Sequence, residues 1–383
     1  MLPTTIGTGA DKKRIALFLP SLQGGGAERV MVTLANEFAR RGFLVDLVLA
    51  AAAGPYLSAV APAVTIHDLG ASRVAASLFP LIRYLRRYRP RALMSFMGHA
   101  NVIAILAGKL SATGIRVVVS EHSFISGEHR VAKGFGTRAA FLLVRLLYGI
   151  ADAVCSVSEG ASRDLERFAS LKHGSVQTIY NPFDLQRIAE QAAEPVSHPW
   201  FTSKEIPLIL GVGRLNEAKS FDVLLEAFYS LRIRRPARLV ILGEGELRAD
   251  LERLATRLNI GPADFQMPGF ASNPYALMAR CSVFVLSSRR EALPGVLIEA
   301  MACGAAIVST DCESGPNEIL ADGKFGQLVP VGDAQALAEA INAALDAAPS
   351  ERPNVKARSA DFNKETAVNS YLEVLGLQRR SGI

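Results

Sequence analysis

The sequence predicts an α/β protein of two doubly wound, parallel-sheet domains, and three observations predict it. Short apolar runs alternate with helix-length segments along nearly the whole chain, the alternation breaks once at a proline-bearing stretch near the middle, and it then resumes. With 383 residues, half of them hydrophobic and a fifth charged, the chain also exceeds what one core usually organises.

The first series opens with a strand over 14–20, a turn at Gly24-Gly25-Gly26, a helix over 27–41 with apolar Val30, Leu34 and Phe38 on one face, and a strand over 43–49. That is a βαβ unit. Further strands are expected at 92–95, 116–120, 153–157 and 176–180. Between 194 and 207 lie three prolines and the single tryptophan, with few periodic apolar positions, which reads as a linker. A second series follows, with strands at 208–212, 238–242, 264–267, 283–286 and 306–309 and helices near 221–234, 245–258, 273–280, 294–303 and 333–347. The expected organisation is a first Rossmann-like domain over 1–185, a linker over 186–206, a second Rossmann-like domain over 207–362, and a terminal helix within 363–383 that packs back on the first. Two such domains in tandem imply a cleft between them.

Charge is unevenly distributed. Residues 1–182 hold 21 Lys and Arg against 11 acids and the remainder 21 against 25, roughly +10 and −4. No zinc-finger spacing, basic stripe interleaved with aromatics or RNA-binding signature accompanies the positive half, which argues against nucleic acid. An anionic membrane surface or a phosphorylated acceptor fits it better. Two stretches, 83–89 and 133–148, combine arginines with apolar bulk and read either as membrane-docking elements or as core helices with solvated arginines. Cys155, Cys281, Cys303 and Cys312 form no C-x-x-C pair and suit a reducing cytoplasm. The first 14 residues lack the apolar core of a signal peptide, and Asp46, Gly54, Pro55 and Pro62 interrupt the apolar stretch after Val45. The expected location is cytoplasmic, with any membrane contact peripheral and on the cytoplasmic face.

Chemistry concentrates just after the apolar run 282–288. Glu291-Ala292-Leu293-Pro294-Gly295-Val296 continues to Glu299, so two carboxylates stand eight positions apart across a loop-to-helix junction. Pro294 suits a first helical turn, and the helix start behind it favours an anion. A pyrophosphate there leaves Glu291 and Glu299 to accept hydrogen bonds from sugar hydroxyls. Paired carboxylates also permit a glycosidase, with one acid and one nucleophile. Earlier, Gly211-Val212-Gly213-Arg214 through Lys219 sets two cations five residues apart after a strand. They suit a diphosphate leaving group, or stand as solvated loop charges. Gly24, Gly25 and Gly26 let backbone amides approach a phosphate or sugar, and alone are equally a turn. They do not form G-x-G-x-x-G, and Asp46 lies inside the second strand rather than at its end, which disfavours a dinucleotide. His99 and Asn101 follow another first-domain strand and so point at the same carboxyl-end cleft.

These motifs together resemble glycosyltransferase family 4, retaining enzymes of the two-domain GT-B fold. The likeness includes the Gly24 to Gly26 loop with Ala27-Glu28-Arg29, Gly211 to Leu215 with Lys219, Ile241-Leu242-Gly243-Glu244-Gly245, Pro268-Gly269-Phe270, Ser287-Ser288 with Glu291 and Glu299-Ala300-Met301-Ala302-Cys303-Gly304, and Leu328 to Asp333. The resemblance implies that Arg214 and Lys219 bind the donor diphosphate. It further implies that Glu299 holds ribose hydroxyls, and that Glu291 with the amides of Leu293, Pro294-flanked Gly295 and Val296 holds sugar and phosphate. Phe270 meets the base through its backbone, with Gly243 and Gly245 on the same side and Gly213 in the loop. By the same resemblance the Gly24 loop would close over the donor and His122 would project toward the transferred sugar, while their place after a first-domain strand puts His99 and Asn101 on the acceptor side. Departures are Ala292 for the usual glycine, Gly295 for a common asparagine or serine, and Ala306 for proline.

The implied activity is transfer of a hexosyl or N-acetylhexosaminyl unit from a nucleotide diphosphate sugar to a free or polyprenyl-diphosphate-linked glycan in polysaccharide assembly. Ser309-Thr310-Asp311-Cys312 through Ile319 resembles members that extend lipid-linked saccharides. The nucleotide sugar is a substrate, with UDP favoured over GDP, and no resident cofactor is expected. No D-x-D motif occurs, so metal-independent transfer is expected. A degenerate nucleotide-sugar-binding protein and a nucleotide-sugar hydrolase or phosphorylase are the alternatives.

Overall fold

The structure, a computed structural model, describes residues 13–132, 134–203 and 205–378. The leader reading therefore lies outside the described residues for positions 1–12, as does Lys133 of the second basic stretch. The chain forms two compact units. One gathers the described residues up to Val157, Ser162–Pro182 and those from Glu365 onward; the other holds Ser158–Ala161 and Phe183–Lys364.

The first unit is built on seven parallel strands: β1 (Arg14–Leu19), β2 (Leu44–Leu49), β3 (Val64–Asp68), β4 (Ala92–Phe96), β5 (Arg116–Glu121), β6 (Ala153–Ser156) and β7 (Val176–Thr178), in the order β3-β2-β1-β4-β5-β6-β7. Central strands are apolar on both faces because helices cover both. Along β1, Ile15, Leu17 and Leu19 enter one core with Leu34 and Phe38 of the helix Gly26–Arg40, while Ala16 and Phe18 enter the opposite core with Leu81 and Leu85 of the helix Leu78–Tyr88. The period of two sorts one strand between two cores. β3 was not among the expected strands. It is an edge strand, with Thr65, Ile66 and Asp68 exposed, so its pattern lacks the continuous apolar run of its neighbours.

The helix Lys364–Val374 packs on the first of these cores through Val368, Tyr371 and Leu372. Arg116 donates to the Val374 carbonyl at 2.7 Å, and Arg41 to Asn369 Oδ1 at 2.6 Å. Burying Val368, Tyr371, Leu372 and Leu375 contributes about 8 kcal/mol of gross transfer free energy before ordering entropy is subtracted. The terminal segment is thus a structural part of the first unit.

The second unit has six parallel strands: β8 (Leu208–Val212), β9 (Arg238–Leu242), β10 (Phe265–Gly269), β11 (Val283–Leu286), β12 (Ile307–Thr310) and β13 (Gln327–Val329), in the order β10-β9-β8-β11-β12-β13. β13, also an edge strand with exposed Gln327, was likewise not expected from its short apolar content. All four cysteines are free. Burial raises the thiols of Cys155, Cys303 and Cys312 to about 12, so they stay protonated and unreactive. Among the described residues no helix is long and apolar enough to cross a membrane.

Candidate active site

In the second unit the strand order reverses at β8: β9 and β10 lie on one side, β11 to β13 on the other. The loops leaving the carboxyl ends of β8 and β11 diverge there, where open α/β sheets take their ligands. Lys219 comes from the first loop and Glu291 from the second. The Lys219 ammonium donates to Glu291 Oε1 at 2.5 Å, and the Ser288 hydroxyl donates to the same oxygen at 2.6 Å. Two further bonds join the loops, from the Arg289 N–H to the Ala218 carbonyl and from Ser287 Oγ to the Lys219 carbonyl, both at 2.8 Å. A Cβ at Gly213 would stand 3.4 Å from the lysine Cγ, Cδ and Cε, so the glycine gives the stem its bed. The pair is partly buried, which strengthens it relative to open solvent while leaving the ammonium within reach of a ligand.

The floor beside Lys219 is backbone. Gly213 N–H donates to the Leu242 carbonyl and Leu215 N–H to the Glu244 carbonyl, each at 3.0 Å, and Gly243 N–H donates to the Gly269 carbonyl at 2.8 Å. Gly243 has φ +138°, and a Cβ there would run into the Gly213 carbonyl oxygen; one at Gly245 would run into that of Leu215. Only glycine allows this close approach. Phe270, next along from Gly269, is 85% exposed. Arg214 does not share the lysine's partner. Its Nη2 donates to Glu246 at 3.2 Å in an exposed pair, so one cation is paired inward and the other outward.

Beyond Glu291, Ala292, Leu293 and Pro294 are buried and lead into the helix Gly295–Cys303, whose first turn carries no acidic residue. The Ala292 carbonyl accepts from Ser314 Oγ at 2.9 Å. Gly295 lies against Phe183: a Cβ there would be 3.3 Å from the ring, so its small size serves packing on that side, with Val296 half-buried beside it. Glu299, one turn in, is 4% exposed, and its Oε1 accepts from the Tyr275 hydroxyl at 3.1 Å. The Ser288 carbonyl is gripped by Thr310 Oγ1 at 2.6 Å and Cys312 Sγ at 3.0 Å. Residues after β12 thus hold the loop after β11.

In the first unit the order reverses between β1 and β4. Gly24 (φ +111°) and Gly25 lie in an exposed loop after β1 and exposed Gly26 opens the helix Gly26–Arg40, with the Glu28 carboxylate folded back over Gly25. His122, after β5, is half-buried against the Phe96 ring (centroids 4.1 Å apart), with Nε2 3.3 Å from Ser120 Oγ. Burial pushes its imidazole down to about 3, which keeps it neutral near pH 7. His99 is exposed on the first turn of the helix Gly98–Ser111. Asn101, two positions on, is wholly buried; its Nδ2 donates to the Ser120 carbonyl at 3.0 Å and to the Tyr148 oxygen at 2.9 Å. The interior thus claims its side chain, in contrast to the acceptor-facing role the sequence suggested. Asp46 is buried mid-strand, where Arg14 donates to both its oxygens at 2.7 Å and the Tyr84 hydroxyl donates at 2.5 Å. Among the described residues no set of His, Cys, Asp and Glu assembles as metal ligands.

Residues 24–187 match the family described as Glycosyltransferase Family 4, and residues 197–360 match Glycosyl transferases group 1. A Campylobacter jejuni protein is 30% identical over 379 residues, which cover 95% of this chain and 99% of that one. It is named N-acetylgalactosamine-N,N'-diacetylbacillosaminyl-diphospho-undecaprenol 4-alpha-N-acetylgalactosaminyltransferase. The chain belongs to glycosyltransferase family 4. The amylovoran biosynthesis glycosyltransferase of Erwinia amylovora is 28% identical to this family 4 enzyme over 304 residues, 78% of this chain and 80% of its own. A glycosyltransferase from Rickettsia africae aligns with a TM-score of 0.80 at 16% identity, covering 97% of this chain and 100% of its own. An Anabaena protein solved with UDP and glucose aligns at 0.77 and 21%, covering 96% and 100%. These likenesses establish the GT-B fold, and the family establishes a glycosyltransferase.

Some pairings that shape this glycosyltransferase's loops had no sequence signal of their own. Ser288 stood in the family-like Ser287-Ser288 motif, but nothing in the sequence gave its hydroxyl to Glu291. Nothing in the sequence linked Tyr275 to Glu299, 24 positions away.

Proposed function

We propose that this enzyme moves a hexosyl or N-acetylhexosaminyl unit, with retention of anomeric configuration, from a UDP-sugar to a polyprenyl-diphosphate-linked glycan. The observation that carries this reading is the Lys219–Glu291 pair at the β8/β11 reversal, beside the amide-bearing start of the helix Gly295–Cys303. A diphosphate entering there takes over the Lys219 ammonium and the helix-start amides. Glu291, still held by Ser288, is left to accept hydrogen bonds from sugar hydroxyls, and Glu299 to serve the ribose. Arg214 exchanges Glu246 for a phosphate oxygen at little cost, since exposed pairs of that kind are weak.

In the reaction the anomeric carbon–phosphate oxygen bond breaks and a bond to the acceptor hydroxyl oxygen forms on the same face. The departing phosphate oxygen takes the acceptor's proton. Negative charge grows on the diphosphate, where Lys219, Arg214 and the amides stabilise it. No resident metal or cofactor takes part in this scheme. The family likeness supports assigning the neutral His122 of the first unit to the transferred sugar. The name of the Campylobacter jejuni relative supports an N-acetylhexosamine donor and a lipid-linked acceptor, and the UDP bound by the Anabaena protein supports the base.

Membrane docking belongs to the same proposal. On the helix Phe135–Leu147, Leu142, Leu143 and Leu146 are exposed beside exposed Arg138 and Arg145, while Val144 turns inward. Apolar residues flanked by arginines suit the headgroup region of an anionic bilayer. The stretch 83–89 differs: Tyr84 and Leu85 are buried, and Arg86 donates to the carbonyls of Leu110 and Ser111.

The test incubates the enzyme with UDP-N-acetylgalactosamine, UDP-N-acetylglucosamine or UDP-glucose and an undecaprenyl-diphosphate-linked oligosaccharide, and reads the product's anomeric proton by NMR. An α-linked product from one of these α-configured donors is expected. A β-linked product would refute retention, and free sugar without acceptor extension would favour the hydrolase.

A further inference from the structure

Beneath the two histidine-bearing turns of the first unit lies a closed ring of buried hydrogen bonds. Asn101 Nδ2 donates to the Ser120 carbonyl at 3.0 Å and to the Tyr148 oxygen at 2.9 Å, and the Tyr148 hydroxyl donates to Glu121 Oε2 at 3.0 Å. Glu121 follows Ser120 directly, so the ring closes through the backbone. The other carboxylate oxygen, Oε1, accepts from Ser123 Oγ at 2.9 Å and from the His122 N–H at 3.2 Å. Glu121 is 3% exposed, and Asn101 and Tyr148 are fully buried.

Two features connect this ring to the turns. Met97, which begins the turn carrying His99, has φ +73° and ψ 128°, a conformation a side chain rarely adopts unless its surroundings impose it. The Asn101 N–H donates to the Met97 carbonyl at 2.8 Å, tying the strained residue to the ring member. Gly98 then passes so close that a Cβ would sit 3.2 Å from Glu121 Oε2 and 3.8 Å from the Tyr148 hydroxyl. An apolar side chain at 121 would fill the same space without desolvating a carboxyl group. Burial raises the Glu121 pKa, and its hydrogen bonds oppose that rise. The carboxyl is therefore maintained against a penalty, at the residue adjoining His122.

We propose that Glu121 and Tyr148 are positioning residues that, through Asn101, fix the turns bearing His99 and His122 relative to each other. The consequence for transfer rests on the reading above, in which His122 faces the transferred sugar. The ring itself acts on the turn geometry whether or not that reading holds.

Tyr148→Phe removes one hydroxyl and keeps the ring's volume; Glu121→Gln keeps the shape and exchanges one acceptor oxygen for a donor. Each is made in full-length protein carrying [13Cε1]-histidine, with the His122 and His99 resonances assigned by their loss in His122→Gln and His99→Gln. In unaltered protein the His122 signal should not respond between about pH 5 and 8. In Tyr148→Phe it should move and begin to titrate, with a smaller change in Glu121→Gln. Turnover of UDP-N-acetylgalactosamine with an undecaprenyl-diphosphate-linked oligosaccharide should lose about tenfold in kcat with an unchanged donor KM. Tyr148→Phe added to His122→Gln should cost nothing more. Histidine signals identical in unaltered protein and both variants would overturn the proposal, whatever the rates. A moved His122 signal in Tyr148→Phe combined with full activity of His122→Gln would leave the positioning role standing and remove His122 from the transfer reaction.

Discussion

Lys219 and Glu291, 72 positions apart in the chain, meet at 2.5 Å across the point where the second sheet reverses its strand order. Ser288 shares the same carboxylate oxygen, and the Gly213 backbone lies along the lysine stem. The ammonium is therefore already ordered, so that in the proposed donor complex exchanging a carboxylate for a phosphate would add little ordering cost.

Removing that charge should act on the barrier. Lys219→Met keeps an apolar stem on Gly213 and deletes the cation, and kcat for sugar transfer should fall about a hundredfold, roughly 3 kcal/mol. Steady-state kinetics checks this, and an unchanged kcat would place the stabilising charge elsewhere.

The glycine floor should tolerate no side chain. Gly243→Ala combines φ +138° with a collision against the Gly213 carbonyl, and should destabilise the second unit by about 3 kcal/mol or more in urea unfolding. Gly261→Ala, with nothing within 4 Å of the added carbon, is the control and should change little.

Stability should fall in mild acid through His122. Its folded pKa, about 3, lies below the ordinary histidine value, so the unfolded chain takes up a proton that the folded chain refuses. This contribution is complete above the unfolded pKa, begins to be lost below about pH 6.5, and is exhausted near pH 3. Between about pH 7 and 5 it amounts to about 2 kcal/mol. Urea unfolding of His122→Gln should show that much less pH dependence than the unaltered protein.

Vesicle binding should depend on the exposed leucines. The unaltered protein should float with liposomes containing anionic lipid, less so at high salt, and the pair Leu142→Asp with Leu146→Asp should abolish flotation. Failure of the unaltered protein to float would remove the membrane from the account.

The sequence displayed what depends on local pattern. Continuous apolar runs marked β1, β8 and β11, and a proline before an apolar segment marked the helix that starts at Gly295. Edge strands β3 and β13 escaped because exposure breaks their apolar runs. Within the site, glycines with short spacing were legible, whereas pairings across tens of residues were not. Lys219 and Arg214 looked alike as loop cations until their acidic partners proved to be Glu291 and Glu246. Asn101 read as a ligand contact because helix phase near a turn does not reveal whether a polar side chain faces solvent or a buried tyrosine. The two basic stretches read alike too, and packing alone separates buried Tyr84 and Leu85 from exposed Leu142 and Leu146.

The most direct measurement of the donor site is a melting curve with UDP, GDP and ADP at about 1 mM, on the unaltered protein and on Lys219→Met. A nucleotide held at about a hundred times its Kd stabilises the folded state by about 2.7 kcal/mol. UDP should raise the melting temperature of the unaltered protein more than GDP or ADP, and the shift should largely vanish in Lys219→Met. A melt unmoved by all three nucleotides, or one moved equally in both proteins, would contradict a donor site built on Lys219 and Glu291.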